Sequence, residues 1–125
     1  MAVLVACDSN GKTHRFEDIQ EAHSLLTQKD STFWLDLVKP SPEELAFLSE
    51  TFQFHPLAIE DATRPHERPK VDSYPNYYFI LFYSAHYDHL QERVFTLPIS
   101  IFIGPNYLVS IHSQASTQVE DTLRR

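Results

Sequence analysis

Between Tyr77 and His112 the chain runs through three apolar, β-type stretches with hardly any polar spacer between them. Tyr77–Tyr87, YYFILFYSAHY, is apolar on both faces, the pattern of a strand in the middle of a sheet. Val94–Ile103 and Tyr107–His112 follow, with a polar hairpin loop over His86–Glu92 and the turn-forming Gly104-Pro105-Asn106 between them. Strands joined by connections this short can pair only antiparallel. The stretch Val94–Ile111 comes nearest to a membrane span, but Pro98 and the Gly-Pro-Asn turn interrupt it, so it reads as two strands and a hairpin.

The first half of the chain changes period repeatedly. Met1–Asp8 reads as a strand closed by the turn signal Ser9-Asn10-Gly11. Phe16, Ile19, Ala22 and Leu26 recur at helical spacing and predict a helix over 17–28. Thr32–Val38, TFWLDLV, predicts a strand with Phe33, Leu35 and Leu37 on one face and Trp34, Asp36 and Val38 on the other. Ser41, Pro42 and Glu44 spell an N-cap, a first-turn proline and a capping box, opening a helix with Leu45, Leu48 and Phe52 on one side and its end near Gln53. His55-Pro56 restarts a short helix that ends near Thr63, because Pro65 disfavours helix just before it. Val71–Tyr74 is a short strand, and a helix begins from Ser116. The order predicts an α/β fold: a mixed, partly antiparallel sheet with helices on its faces.

Composition narrows the function. With 125 residues, 42% of them hydrophobic, the chain is one domain with a real core. A net charge of −7 argues against a nucleic-acid surface. The N-terminus has no positive flank ahead of its apolar run and does not read as a signal peptide. Cys7 alone forms no disulfide framework and, flanked by apolar residues, reads as core and as consistent with a reducing compartment. Two glycines are too few for a phosphate cradle, and no nucleophile elbow is present. The chain is therefore expected not to be an enzyme. His14, His23, His55, His66, His86, His89 and His112 show no zinc-ligand spacing and read as surface or capping residues, with His55 at the start of the short helix.

The adjacent acids Glu60 and Asp61 stand apart. They close a short helix where its dipole opposes negative charge, and point about 100° from each other. Two readings stay open: local neutralisation by Arg64, Arg68 or Lys70, or a share in a hard-cation site. Two carboxylates fall short of the roughly six oxygens that Mg2+ takes, so waters or a second chain would complete such a site.

WLDL at 34–37, PSPEEL at 40–45, FHPLAIEDA at 54–62, RPKVDSYPNYYFI at 68–80 and LVSIH at 108–112 come in this order and spacing. Together they resemble the cytoplasmic N-terminal domain of CorA-type magnesium transporters, most clearly from Phe33 to Ile111. The resemblance implies a three-layer α/β/α sandwich in the cytoplasm of a homopentameric Mg2+ and Co2+ channel. Asp61 matches a residue that faces an acid on a neighbouring subunit's long helix and binds regulatory Mg2+; Glu60 matches a contributor to a more peripheral site.

Residues 1–125 are accordingly expected to be a single soluble domain, a fragment lacking the long helix, the transmembrane region and the Gly-Met-Asn signature. By itself such a piece conducts no ions. It is expected to be a monomer or weak oligomer that binds Mg2+ weakly or not at all, to contact the membrane only through the missing segments, and to have no nucleic-acid partner. The alternatives are the related zinc-transporting branch and a stand-alone binding module or small enzyme.

Overall fold

The structure is a computed structural model, and the residues it describes are 2–7, 10–17, 31–63 and 68–113. Strands β1 (Ala2–Cys7), β2 (Thr13–Phe16), β3 (Thr32–Val38), β4 (Lys70–Tyr74), β5 (Tyr77–Asp88), β6 (Arg93–Ile103) and β7 (Tyr107–His112) form one sheet. Helices α1 (Pro42–Phe52) and α2 (Pro56–Thr63) lie between β3 and β4 in the chain. The strand order is β2-β1-β3-β7-β6-β5-β4. Pairing is antiparallel except between β3 and β7, which run parallel. The expected mixed α/β fold is thus present.

One row of side chains crosses five strands on the same face: Leu4 opposite Leu35, Leu35 opposite Val109, Val109 opposite Phe102, and Phe102 opposite Phe79. All five are at most 1% exposed. Helices α1 and α2 cover this face through Phe47, Leu48, Ala58 and Ala62. Phe54, in the link between the helices, stacks on Phe102 with ring centroids 4.1 Å apart and on Phe52 at 5.1 Å.

The capping box is formed: the Glu44 N–H donates to Ser41 Oγ at 3.1 Å, and the Ser41 N–H donates to Glu44 Oε1 at 2.9 Å. The helix ends at Gln53 in the left-handed region (φ 57°), with its N–H bonded to the Ser49 carbonyl at 3.1 Å. On the predicted face Leu48 is fully buried, Leu45 and Phe52 are half-buried, and Phe47 joins them in the core.

The structure corrects three expectations. Strand β2 was not expected, and Phe16, counted in the spacing of the helix over 17–28, ends it: Gly11, at φ 79°, lets the chain turn back so that Phe16 pairs with Leu4. Four residues are a weak signal against the helical spacing that follows them. The polar hairpin loop is shorter than His86–Glu92. Asp88 Oδ1 accepts the N–H groups of Leu90 (2.9 Å) and Gln91 (3.3 Å), so only residues 89–92 turn. Strand β5 is next to the edge rather than central, and its pairing with β4 stops at Leu81, while β6 pairs with β7 only from Ser100 onward. Pro98 therefore sits where β6 has no β7 neighbour and costs no bond on that side. Most of the helix over 17–28, any third layer it would form, and the helix from Ser116 lie outside the described residues.

Two substitutions test this account in urea denaturation. Leu35→Ala removes the centre of the fully buried row and should cost about 2–5 kcal/mol. Ser41→Ala should cost only about 1 kcal/mol, the usual loss of an N-cap. Equal losses would contradict this ranking.

Candidate functional site

Helix α2 is set in place by His55 and by two small side chains. The His55 carbonyl accepts the N–H groups of Ala58 (3.0 Å) and Ile59 (3.1 Å), and its Nδ1 accepts that of Leu57 at 3.1 Å. The His55 N–H donates to Tyr77 Oη at 2.7 Å, tying the cap to β5. His55 thus caps the helix, as expected. Ala58 and Ala62 are buried and, being small, let the helix lie close over β6 and β7.

This placement turns the two acids in different directions. Glu60 is exposed. Asp61 is half-buried and faces β4, where Lys70 Nζ lies 2.6 Å from its Oδ2. The same ammonium lies 3.3 Å from Oδ2 of Asp72 and 5.9 Å from the centroid of the Phe79 ring. Lys70 and Asp72 are two apart on β4, so their side chains share a face. The site is therefore a cation bridging two carboxylates from different elements. Of the cations expected to neutralise Asp61, Lys70 does so, Arg68 is exposed, and Arg64 lies outside the described residues. Tyr74, on the same strand, registers the cluster. Burial raises its phenol pKa first; Asp72, Tyr77 and Asp61 push the same way, and Lys70 pulls it down.

A hard cation suits the donor type here, because Asp61 offers carboxylate oxygen and already holds a positive group. The donor number is small: among the described residues no three His, Cys, Asp or Glu side chains gather closely enough to hold a metal ion. Any further ligands would come from outside the described residues. Asp72 was missed by the sequence reading. Its signal was the alternation K-x-D in a strand, which puts a cation and an acid on one side.

A second polar group was also missed. Trp34 Nε1 donates to Ser110 Oγ at 2.8 Å, and Ser110 Oγ donates to Asp36 Oδ1 at 2.6 Å. His112 Nε2 lies 2.9 and 3.0 Å from the two Asp36 oxygens, so the carboxylate draws a proton onto that nitrogen. Asp36, Ser110 and His112 are each at most 4% exposed. His112 is therefore neither a surface nor a capping residue, correcting the expectation; it spans β3 and β7. Cys7 is half-buried rather than core. His86 meets Ser84 Oγ at 2.7 Å, and His23 and His66 lie outside the described residues.

A seven-stranded mixed sheet with two helices on one face defines the class of the fold, an α/β domain. The CorA-like Mg2+ transporter protein family model matches residues 29–125, and the chain belongs to that family. Magnesium transporter ALR2 of Saccharomyces cerevisiae is 33% identical over 84 residues, covering 67% of this chain and 10% of that protein. The complete CorA magnesium transporter of Methanocaldococcus jannaschii superposes with a TM-score of 0.74 at 20% identity, over 99% of this chain and 36% of that one. The ZntB cytoplasmic domain of Vibrio parahaemolyticus superposes with a TM-score of 0.68 at 11% identity, over 98% of this chain and 48% of that one. The chain thus spans a quarter or less of the length of these curated relatives. Among the described residues no helix is long and apolar enough to cross a membrane.

Two measurements follow. Ser110→Ala strands the Trp34 indole N–H and removes one donor to Asp36, so it should cost about 1–3 kcal/mol in chemical denaturation. A loss indistinguishable from that of an exposed serine would contradict the network. Burial first, and Tyr77 second, push the Tyr107 phenol up to about 12. The folded state then keeps a proton that the unfolded chain releases near 10.0, so this contribution to stability is complete below pH 10 and is lost between about 10 and 12. Tyr107→Phe should flatten that part of the alkaline stability profile; an unchanged slope would contradict the assignment.

Proposed function

We propose that this chain is the N-terminal regulatory domain of a divalent-cation channel, on the cytoplasmic face of the membrane, in which Asp61 reports the local Mg2+ concentration. The observation that carries this is the position of Asp61. It lies in the segment matched by the family model, half-exposed, poorly served by its own helix end and already paired with a cation. The name magnesium transporter ALR2, and the name cobalt/magnesium transport protein CorA for a Thermotoga maritima relative 34% identical over 59 residues, support Mg2+ and Co2+ as the ions.

In this reading the domain works in a homopentamer, and the rest of each site comes from a neighbouring subunit's long helix beyond this chain. A carboxylate brought against another acid at a subunit interface raises the energy of the closed assembly. A divalent cation, when bound, supplies the charge that offsets this repulsion. Asp61 therefore makes closure depend on cation concentration, a population shift between two arrangements. Glu60, fully on the outside of α2, contributes to a peripheral site at most. Within this chain Asp61 offers one carboxylate, so the isolated domain binds Mg2+ weakly or not at all.

The ZntB likeness supports a second reading, a domain of the zinc-transporting branch with the same fold. Metal-uptake assays on the intact polypeptide separate the two.

The test is Asp61→Ala in that polypeptide, with cation flux followed as internal Mg2+ rises. Flux should stay open at Mg2+ concentrations that close the parent. Closure at the parent's concentration would remove Asp61 from any sensing role.

A further inference from the structure

The position that a divalent cation would take on Asp61 already holds an ammonium group from the same chain. Lys70 Nζ sits 2.6 Å from Asp61 Oδ2, a short charge-assisted hydrogen bond. Both side chains are 26% exposed, so the pair is neither a buried structural ion pair nor a loose surface contact. Two cations cannot share one carboxylate oxygen without strong repulsion. Whatever cation approaches Asp61 must therefore contend with Lys70.

A second carboxylate stands ready for the displaced ammonium. Asp72 Oδ2 is 3.3 Å from Lys70 Nζ, longer than the Asp61 contact, and Asp72 is the more exposed partner at 40%. Both residues project from β4 on the same face, and the Phe79 ring lies beneath the ammonium, 5.9 Å to the centroid. A small rotation of a flexible four-carbon side chain moves Nζ from one acid toward the other without breaking β4.

From these positions we propose that Lys70 is a built-in competitor for the cation at Asp61, and that Asp72 receives the lysine when it is displaced. This rests on the reading of Asp61 as the cation-responsive residue. Lys70 then sets the concentration at which the site responds: the stronger its hold on Asp61, the more divalent cation is needed. Asp72 lowers that requirement, because the displaced ammonium keeps a partner. The arrangement also selects for charge, since a monovalent ion gains little over the ammonium already in place.

Protection of the intact polypeptide from limited proteolysis, titrated with MgCl2 at constant ionic strength, reads this out apart from transport. Lys70→Met should lower the half-protecting Mg2+ concentration about tenfold, equivalent to ~1.4 kcal/mol. Lys70→Arg keeps the charge and should leave it near or above the parent value. Asp72→Asn should raise it several-fold. If Lys70→Met fails to fold, Lys70→Gln takes its place, and melting curves without Mg2+ establish folding for each variant. Asp61→Ala separates the two claims. If it abolishes protection while Lys70→Met and Lys70→Gln stay within about twofold of the parent, the competitor role falls and the Asp61 reading stands. If Asp61→Ala keeps full Mg2+ protection, the Asp61 reading itself falls. An unchanged or lowered midpoint in Asp72→Asn overturns the receiving role.

Discussion

The parallel contact between β3 and β7 joins the molecule. On one side of it lie β2 and β1, on the other β6, β5 and β4, and among the described residues no other strand pair connects the two halves. Six residue pairs, from Phe33 opposite Tyr107 to Val38 opposite His112, hold this seam. Its two faces carry different chemistry. On the helix side Leu35 and Val109 are fully buried in the row that crosses the sheet. On the other side Trp34, Ser110, Asp36 and His112 form a closed hydrogen-bonded group across the same two strands. Apolar burial supplies the attraction, and the polar group fixes the register, since a slip of one residue would move Asp36 and Ser110 onto the apolar face.

The site inherits its position from this seam. Helices α1 and α2 belong to the long connection that parallel β3 and β7 require. Ala58 and Ala62 press α2 onto the sheet beside β7, and His55 ties its start to Tyr77 on β5. Asp61 is thereby carried to the edge strand β4, where Lys70 and Asp72 face it. A carboxylate at a helix end, disfavoured by the helix dipole, is stabilised there by a cation from another element.

Much of the fold could be read from local chemistry. The capping box at Ser41 and Glu44, the alternation in TFWLDLV and the Gly-Pro-Asn turn act over a few residues and appear in the structure as expected. β2 was missed because four residues carry little periodicity against a helical pattern just after them. The role of His112 was missed because its partner Asp36 is 76 residues away, and only the parallel register brings them together. For the site, the resemblance pointed to Asp61 and the residues allowed either an ion pair or a metal share. The structure supplies the ion pair, chooses Lys70 among the cations offered, and adds Asp72, whose part depends on strand pairing.

The central claim is that the ammonium on Asp61 gives way to a divalent cation in the assembled protein. Anomalous scattering from crystals of the intact assembly grown with Co2+ addresses it directly. The account predicts a cobalt peak in coordination contact with an Asp61 oxygen, about 2.1 Å for an ion of this kind, with Lys70 Nζ moved onto Asp72. A Lys70–Asp61 contact still at 2.6 Å, with no cobalt peak beside Asp61, would contradict it.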